Sequence, residues 1–414
     1  MLRSLFSAVS GLRSHQTMMD VIGNNIANVN TTGYKSGQTV FEDTLSQAVR
    51  NAGGASQGGG GTNAAQVGLG VRVAGIATNF SQGSTQVTGR QGDMAIQGDG
   101  FFVVQQDGQT MYTRAGAFSF DALGNLVTPE GATVQGWGAT KGAIDTNAPV
   151  GGLRLPVGQV LAPTATRTVD LGGNLPADAA TGATVTHSID IVDEQGATIP
   201  ATTTYTKTGT NTWSAVTTVP KPGGGTATVG TTSLTWDPAA KSFTTASMAL
   251  TSGALTAAGY RFASDVTLTI GGDSTPLTQF SGSASATARN QDGSTMGSLQ
   301  SFTMDSTGVL VGIFSNGRTE KLGQVALASF TNPAGLEKAG DSLYRGTANS
   351  GAPSVGTAGS GGRGALASGV LEMSNVDLAQ EFTNLIVAQR GFQANSRVVS
   401  ASDEILQDLV NLKR

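Results

Sequence analysis

Apolar residues recur at seven-residue intervals at both ends of the chain. Leu5, Leu12, Met19 and Ile26 form the front series, which Leu2, Val9, Met18 and Ile22 widen into a stripe. Leu378, Leu385, Phe392, Val399 and Leu406 form the back series, broadened by Phe382, Ile386 and Leu409. A position recurring at that spacing stays on one side of a helix and asks for a partner helix along its length. The two stripes are each other's first candidates. The spacing predicts a front helix from Arg3 to Ala27, about 38 Å long at 1.5 Å per residue, and a back helix of about 57 Å from Ser374 to Leu412. Ser374 stands where a side-chain oxygen caps first-turn N–H groups, and Asp377 three residues later suits the helix dipole. Helices of such unequal length leave apolar surface on the longer one for neighbouring copies.

Between the ends the period changes to two. Short alternating strands with Gly turns run from Val67 to Trp137, with Asp99-Gly, Asp107-Gly and Gly124-Asn125 supplying hairpin chemistry. From Thr140 to Arg289 the chain is Thr-rich and alternates in VTHSIDIV, TSLTWD and DVTLTI, then the earlier style returns from Gln291 to Tyr344. The second β region is therefore read as inserted into the first. Glycine tracts at Asn51–Asn63 and Gly346–Gly364 stand outside the β regions and read as linkers. The fold class expected is α+β, with terminal α-helices forming a coiled-coil-like core and two nested, mostly β domains. The helical core takes residues 1–30 and 372–414, the linkers 31–66 and 346–371, the inner β domain 67–139 and 290–345, and the outer β domain 140–289.

Composition narrows the function classes. The length of 414 residues suits two or three domains at roughly 100 to 200 residues each. A net charge of −4 without a long basic run gives no electrostatic footprint for nucleic acid. The absence of cysteine removes disulfides and thiolate metal sites. No stretch approaches the roughly 18 apolar residues of a membrane span, and the opening MLRSLFSAVSGLRSHQ lacks the hydrophobic region and cleavage site of a secretory signal. Neither membrane insertion nor a cleavable signal peptide is expected.

No catalytic, cofactor-binding or metal-ligating constellation emerges. His15 and His187 are the only histidines and fall in different regions, so they read as a helix-packing residue and a strand-surface residue. Gly54–Gly58 formally spells G-x-S-x-G, but a nucleophile elbow needs a strand before it and a helix after it. There is no phosphate loop, HExxH or EF-hand pattern, and Asn30-Thr31-Thr32 and Asn79-Phe80-Ser81 are chance glycosylation matches. The chain is not expected to be an enzyme.

Particular segments resemble the bacterial flagellar axial proteins, which build rod and hook. SAVSGL, Ser7 to Leu12, followed by NNIANVNTTGYK, is similar to that family's amino-terminal signature, and Val376 to Arg414 to its carboxy-terminal one. Tyr112 to Val127 and Val134 to Trp137 resemble its inner β domain. The motif residues are Asn24, Asn25, Ile26, Ala27, Asn28, Asn30, Thr31, Gly33, Tyr34 and Lys35. Within the family, an outer domain separates hook members from distal rod members, so the Thr-rich region places the resemblance with the hook. The resemblance implies a homopolymeric helical tube that transmits torque as a universal joint and passes exported subunits through its lumen. It also implies contact with distal rod, hook cap and hook–filament junction proteins, and export by the flagellar type III apparatus to the extracellular hook. A distal rod subunit with an inserted domain and a secreted β-rich adhesin are the alternatives. Gln389, Gln393, Asn395 and Ser400 are the polar positions expected to face the lumen.

Overall fold

The computed structural model describes residues 2–54, 60–140, 142–156, 158, 160–270 and 276–411. Its α-helices are α1 (Leu2–Ala27), α2 (Ser252–Ala257) and α3 (Leu378–Asn411), and the rest of its regular structure is almost all strand. The chain divides into two units. Unit 1 comprises residues 1–156, 302–311 and 321–414, and unit 2 comprises residues 157–301 and 312–320.

In unit 1 the front and back of the chain interleave. Strand Thr85–Val87 pairs antiparallel with Val370–Glu372, and Met94–Gln97 pairs with Ala365–Ser368. Phe101–Gln106 and Gln109–Thr113 make a hairpin whose turn holds Asp107 and Gly108 at positive φ, as Asp-Gly turns require. Their inner faces supply Phe101, Val103 and Tyr112 to a core that also takes Trp137, Ala326, Ala328 and Tyr344. Aromatic edges meet faces throughout it: Phe101 contacts Phe80, Phe330 and Tyr344 with ring centroids 5.4, 5.8 and 5.9 Å away.

Unit 2 is all β apart from α2. Strands Thr184–Val192, Thr198–Gly209, Thr212–Pro220, Thr226–Asp237 and Ser242–Phe243 form a sequential antiparallel sheet. Burial alternates residue by residue along Thr212–Pro220, so the period-two pattern of the sequence is the inside–outside alternation of this sheet. Its inner face packs Ile191, Tyr205, Trp213 and Leu234 with Val169, Leu250, Val266 and Leu268 of a second sheet. The Trp213 indole donates to Gln279 Oε1 at 3.0 Å, satisfying its N–H inside the core.

Three expectations fail here for identifiable reasons. The regions read as linkers carry structure. Residues 31–66 include strands Gly37–Asp43, paired with Val71–Thr78, and Ser46–Arg50, and residues 346–371 include Ser354–Gly356 and Ala365–Ser368 with Ala358 and Leu366 buried. In the back segment Ala358 and Leu366 are buried among the glycines, which a count of glycines does not register, and the front strands Gly37–Asp43 and Ser46–Arg50 precede the glycine tract at Asn51–Asn63. Residues 55–59 of the front glycine tract lie outside the described residues. α3 starts at Leu378 instead of Ser374, because the Asp377 carboxylate is the group that accepts from first-turn N–H groups, at 2.9 Å from Ala379 and 3.2 Å from Gln380. His187 is no surface residue: it is 9% exposed and stacks on Tyr205 at 5.5 Å.

Candidate functional site

α1 has 26 residues and α3 has 34, and they pack against each other within unit 1. Asn25 of α1 donates to Glu381 Oε1 at 3.1 Å, His15 lies over Gly391, and Gly11 lies under Asn395. Numbers that rise along one helix fall along the other, so the pair is antiparallel. The fully buried line of α1 is Ala8, Gly11, Ser14, Ile22 and Asn25, and that of α3 is Ala388 and Ser402. Small residues therefore mark the closest approach. A Cβ on Gly391 would sit 2.5 Å from the His15 ring, and one on Gly11 would sit 2.8 Å from the Asn395 amide.

This geometry places the expected stripe residues beside the seam. Leu5, Val9, Leu12, Met19 and Ile26 are half-buried, as are Leu385, Phe392, Val399 and Leu406, while Ile22 is fully buried. Leu378, Phe382 and Ile386 are 40%, 51% and 58% exposed, so α1 does not cover them. The Leu409 side chain lies outside the described residues. Asn395, expected to face a lumen, instead points to Gly11 and donates to the Gly391 carbonyl, whereas Gln389, Gln393 and Ser400 are exposed. Sequence periodicity found the helices and their partnership. It missed the seam's centre because glycine, alanine, serine and asparagine carry no hydrophobic signal.

Beyond α1 the asparagine-rich motif leads into a buried ionic junction. Asn28 caps the helix end, its amide donating to the Asn24 carbonyl at 2.9 Å. Asn25 is 1% exposed and bridges three elements: it donates to the Gly37 carbonyl at 2.8 Å and accepts from the Gly37 N–H and the Tyr34 hydroxyl. Gly33 turns the chain at φ 68°, where a Cβ would lie 2.5 Å from the Ala115 nitrogen, and its N–H donates to the Glu372 carbonyl at 2.8 Å. The turn delivers Lys35 into unit 1. Of the remaining motif residues, Ala27 and Asn30 are exposed, and the Thr31 hydroxyl donates to the Asn28 side chain.

Lys35 and Glu372 have side chains with no solvent exposure, and Lys35 Nζ lies 2.5 Å from Glu372 Oε1. Lys35 also donates to the Ser81 carbonyl at 2.8 Å, and Glu372 Oε1 accepts from the Gly83 N–H at 2.9 Å. Arg114 approaches Glu372 Oε2 at 3.6 Å, donates to the Gly98 carbonyl and lies 5.2 Å from the Phe101 ring centroid. Burial pushes the Lys35 pKa down, and the hydrogen bond and charge of Glu372 push it back up. Arg114 is lowered by burial in the same way and raised by Glu372 and Asp99. Asn375 completes the junction, accepting from the Ser36 N–H and donating to the Asn79 carbonyl, both at 2.8 Å. Glu372, Arg114 and Asn375 were not singled out in the sequence. The available signal was a lone acid in the apolar run Val370-Leu371-Glu372-Met373.

Glu381 is raised by burial, with Asp377 adding to that and the Asn25 hydrogen bond opposing it. Among the described residues no group of three or more His, Asp or Glu side chains is placed to hold a metal ion, and no helix is long and apolar enough to cross a membrane. The arrangement has the chemistry of a clamp, joining the first 35 residues to the last 43.

Comparison with known proteins bears on the whole chain. A family model described as Flagella basal body rod protein matches residues 5–35, and Flagellar hook protein FlgE/F/G D1 domain matches 95–209. Flagellar basal body protein FlaE D2 domain matches 160–294, and Flagellar basal body rod FlgEFG protein C-terminal matches 367–412. The chain is 39% identical over 443 residues to the flagellar hook protein FlgE of Borreliella burgdorferi, with 100% of each chain covered. It is 33% identical over 417 residues to the flagellar basal-body rod protein FlgG of Bacillus subtilis, again with 100% of each covered. The crystal structure of Helicobacter pylori flagellar hook protein FlgE2 aligns with a TM-score of 0.53 at 16% identity, covering 70% of this chain and 100% of that one, a likeness of fold.

Proposed function

The chain belongs to the flagellar hook protein FlgE family and is a structural subunit of the hook, and from that premise we propose how it works: terminal helices build the core of a flexible tube that passes torque outward. Identical subunits stack through heterologous, non-closing contacts, the symmetry that generates a helical filament. The antiparallel α1–α3 pair supplies a coiled-coil-like core, with residues 1–30 and 372–414 as its helical domain and the β regions carried outside it. Exposed Gln389, Gln393 and Ser400 give the middle of one face of α3, beyond the exposed Leu378, Phe382 and Ile386, a polar surface suited to a lumen through which unfolded subunits pass.

The observation that carries this reading is the junction at Lys35 and Glu372. Two fully buried, oppositely charged side chains from the two ends of the chain lock both terminal helices to one β framework. Force applied to the helices therefore reaches the β framework of unit 1 through this junction. Flagellar type III export and contacts with distal rod, hook cap and hook–filament junction proteins belong to the same reading. The full-length likeness to a basal-body rod protein supports a second one, a distal rod subunit with an inserted domain. Electron microscopy of polymer grown from purified subunit separates the two: a curved, pliable tube is expected, and a straight rigid one overturns the hook mechanism in favour of the rod.

A further inference from the structure

The ionic junction of unit 1 is complete on one side only. Glu372 Oε1 accepts from Lys35 Nζ at 2.5 Å and from the Gly83 N–H at 2.9 Å. Oε2 of the same carboxylate is buried and, among the described residues, accepts from nothing. Arg114 faces it, with Nη1 3.6 Å away and the two side chains 2% and 0% exposed. Arg114 Nε is likewise buried without an acceptor among the described residues. Charge-assisted N–H···O bonds close to about 2.7–2.9 Å, and two bonds of about 2.8 Å meeting at a water span about 4.5 Å. The gap is therefore too long for a bond and too short for a bridging water between those two atoms. A guanidinium with an idle N–H and a carboxylate with an idle oxygen stop about 1 Å short of a bond.

The two groups stand on separate pieces of unit 1. Glu372 closes the strand Val370–Glu372, which pairs with Thr85–Val87 as a two-stranded ribbon and runs on into α3. Arg114 directly follows Gln109–Thr113, a strand of the large sheet. Among the described residues no β-ladder joins ribbon and sheet, so a sub-ångström slide of one against the other breaks no ladder bond. Each group is also held back on its own side. Lys35, itself bonded to the Ser81 carbonyl, keeps Oε1, while the Gly98 carbonyl and the Phe101 ring keep the guanidinium.

We propose that Glu372 and Arg114 form a latch poised to close. When the root of α3 is displaced toward the large sheet, Oε2 accepts from the guanidinium while Oε1 keeps Lys35, and the subunit holds a second setting of its helices. This rests on the torque-carrying reading above and deepens it by naming the contact at which one subunit changes between two settings. The contact is a switch and not a soft spring for two reasons. A charge-assisted bond forms over a narrow range of distance, and inside a protein it is stronger than in water. A packed interior also offers discrete arrangements in place of continuous ones. A bent tube compresses the subunits on its inner side and stretches those on its outer side, so its copies require unequal settings.

Tubes grown from protein with isotope-labelled arginine and glutamate report the latch directly by solid-state NMR. Arg114→Met identifies the Arg114 signals by their loss, and Arg114→Lys does so where Arg114→Met does not fold. Two Arg114 Nε–H resonances are expected, of which only the downfield one shows transfer to the Glu372 carboxylate. Electron micrographs of the same tubes are expected to sort axial subunit spacings into two classes, which Arg114→Met reduces to one. A single Arg114 resonance in the unaltered tubes, with or without the carboxylate contact, overturns the latch. So do two spacing classes that persist in Arg114→Met tubes. Either result leaves the hook reading standing, whereas failure of the unaltered protein to form tubes under any condition overturns both.

Discussion

Lys35 and Glu372, near opposite ends of the sequence, meet at 2.5 Å with neither side chain exposed to solvent. Removing one partner of such a pair leaves an uncompensated buried charge and costs about 3–5 kcal/mol, whereas replacing both by apolar groups is often nearly neutral. The two single losses are not equivalent here. Glu372 faces both Lys35 and Arg114, so Glu372→Gln strands two cations, while Lys35→Met leaves Glu372 with Arg114 and the Gly83 N–H.

Chemical denaturation of unit 1 is therefore expected to rank Glu372→Gln as more destabilising than Lys35→Met, with Lys35→Met combined with Glu372→Leu recovering part of the loss. Hydrogen exchange should rise first in Thr85–Val87 and its partner Val370–Glu372. A Glu372→Gln protein as stable as the parent would show that the ion pair does not hold the junction.

Close helix approach gives a steric prediction. Gly391→Ala drives a methyl into the His15 imidazole, which itself sits edge-on to Phe41 at 5.7 Å. Overpacking of this kind costs about 1–3 kcal/mol. Thermal unfolding of Gly391→Ala should show the helical signal melting earlier, and adding His15→Ala should restore it in part. Equal loss with and without His15→Ala would place the clash elsewhere.

These positions also show where sequence reading succeeds. Period seven found both helices and period two found the sheets, because each pattern counts large apolar side chains. Gly391, Gly11, Ala8 and Ser402 are invisible to such a count, although they set the interhelical distance. Asp377 outcompeted Ser374 as the cap since Ser374 is buried and its hydroxyl accepts from the Val376 N–H. Glu372 reads as an ordinary surface acid until the fold brings Lys35 and Arg114 to it, a relation between residues hundreds of positions apart.

Unit 2 should weaken in mild acid. His187 is lowered below 6.5 by burial, and neither ring nitrogen has a hydrogen-bond partner in the core beside Tyr205. The unfolded chain therefore binds a proton more readily than the folded one between the depressed value and 6.5, so stability is full above that window and falls as pH drops through it. Urea midpoints of unit 2, followed by Trp213 fluorescence, should decline as pH falls below 6.5. His187→Phe should flatten that decline. An unchanged slope in the variant would assign the acid sensitivity to other groups.

The helix pair and unit 2 can be separated by mutation, because unit 2 has a core of its own built on Trp213, Tyr205 and Leu234. Leu385 and Phe392 flank the α1–α3 seam, half-buried in the subunit. An Asp at either position places a carboxylate against apolar surface, where burial without a partner favours separation of the helices. Leu385→Asp with Phe392→Asp is expected to abolish tube formation in sedimentation and electron microscopy while leaving Trp213 fluorescence and the β signal in circular dichroism unchanged. Loss of both signals would mean that the terminal helices are needed for the β units to fold. Tubes of normal yield from the double variant would remove the helical pair from the polymer's core.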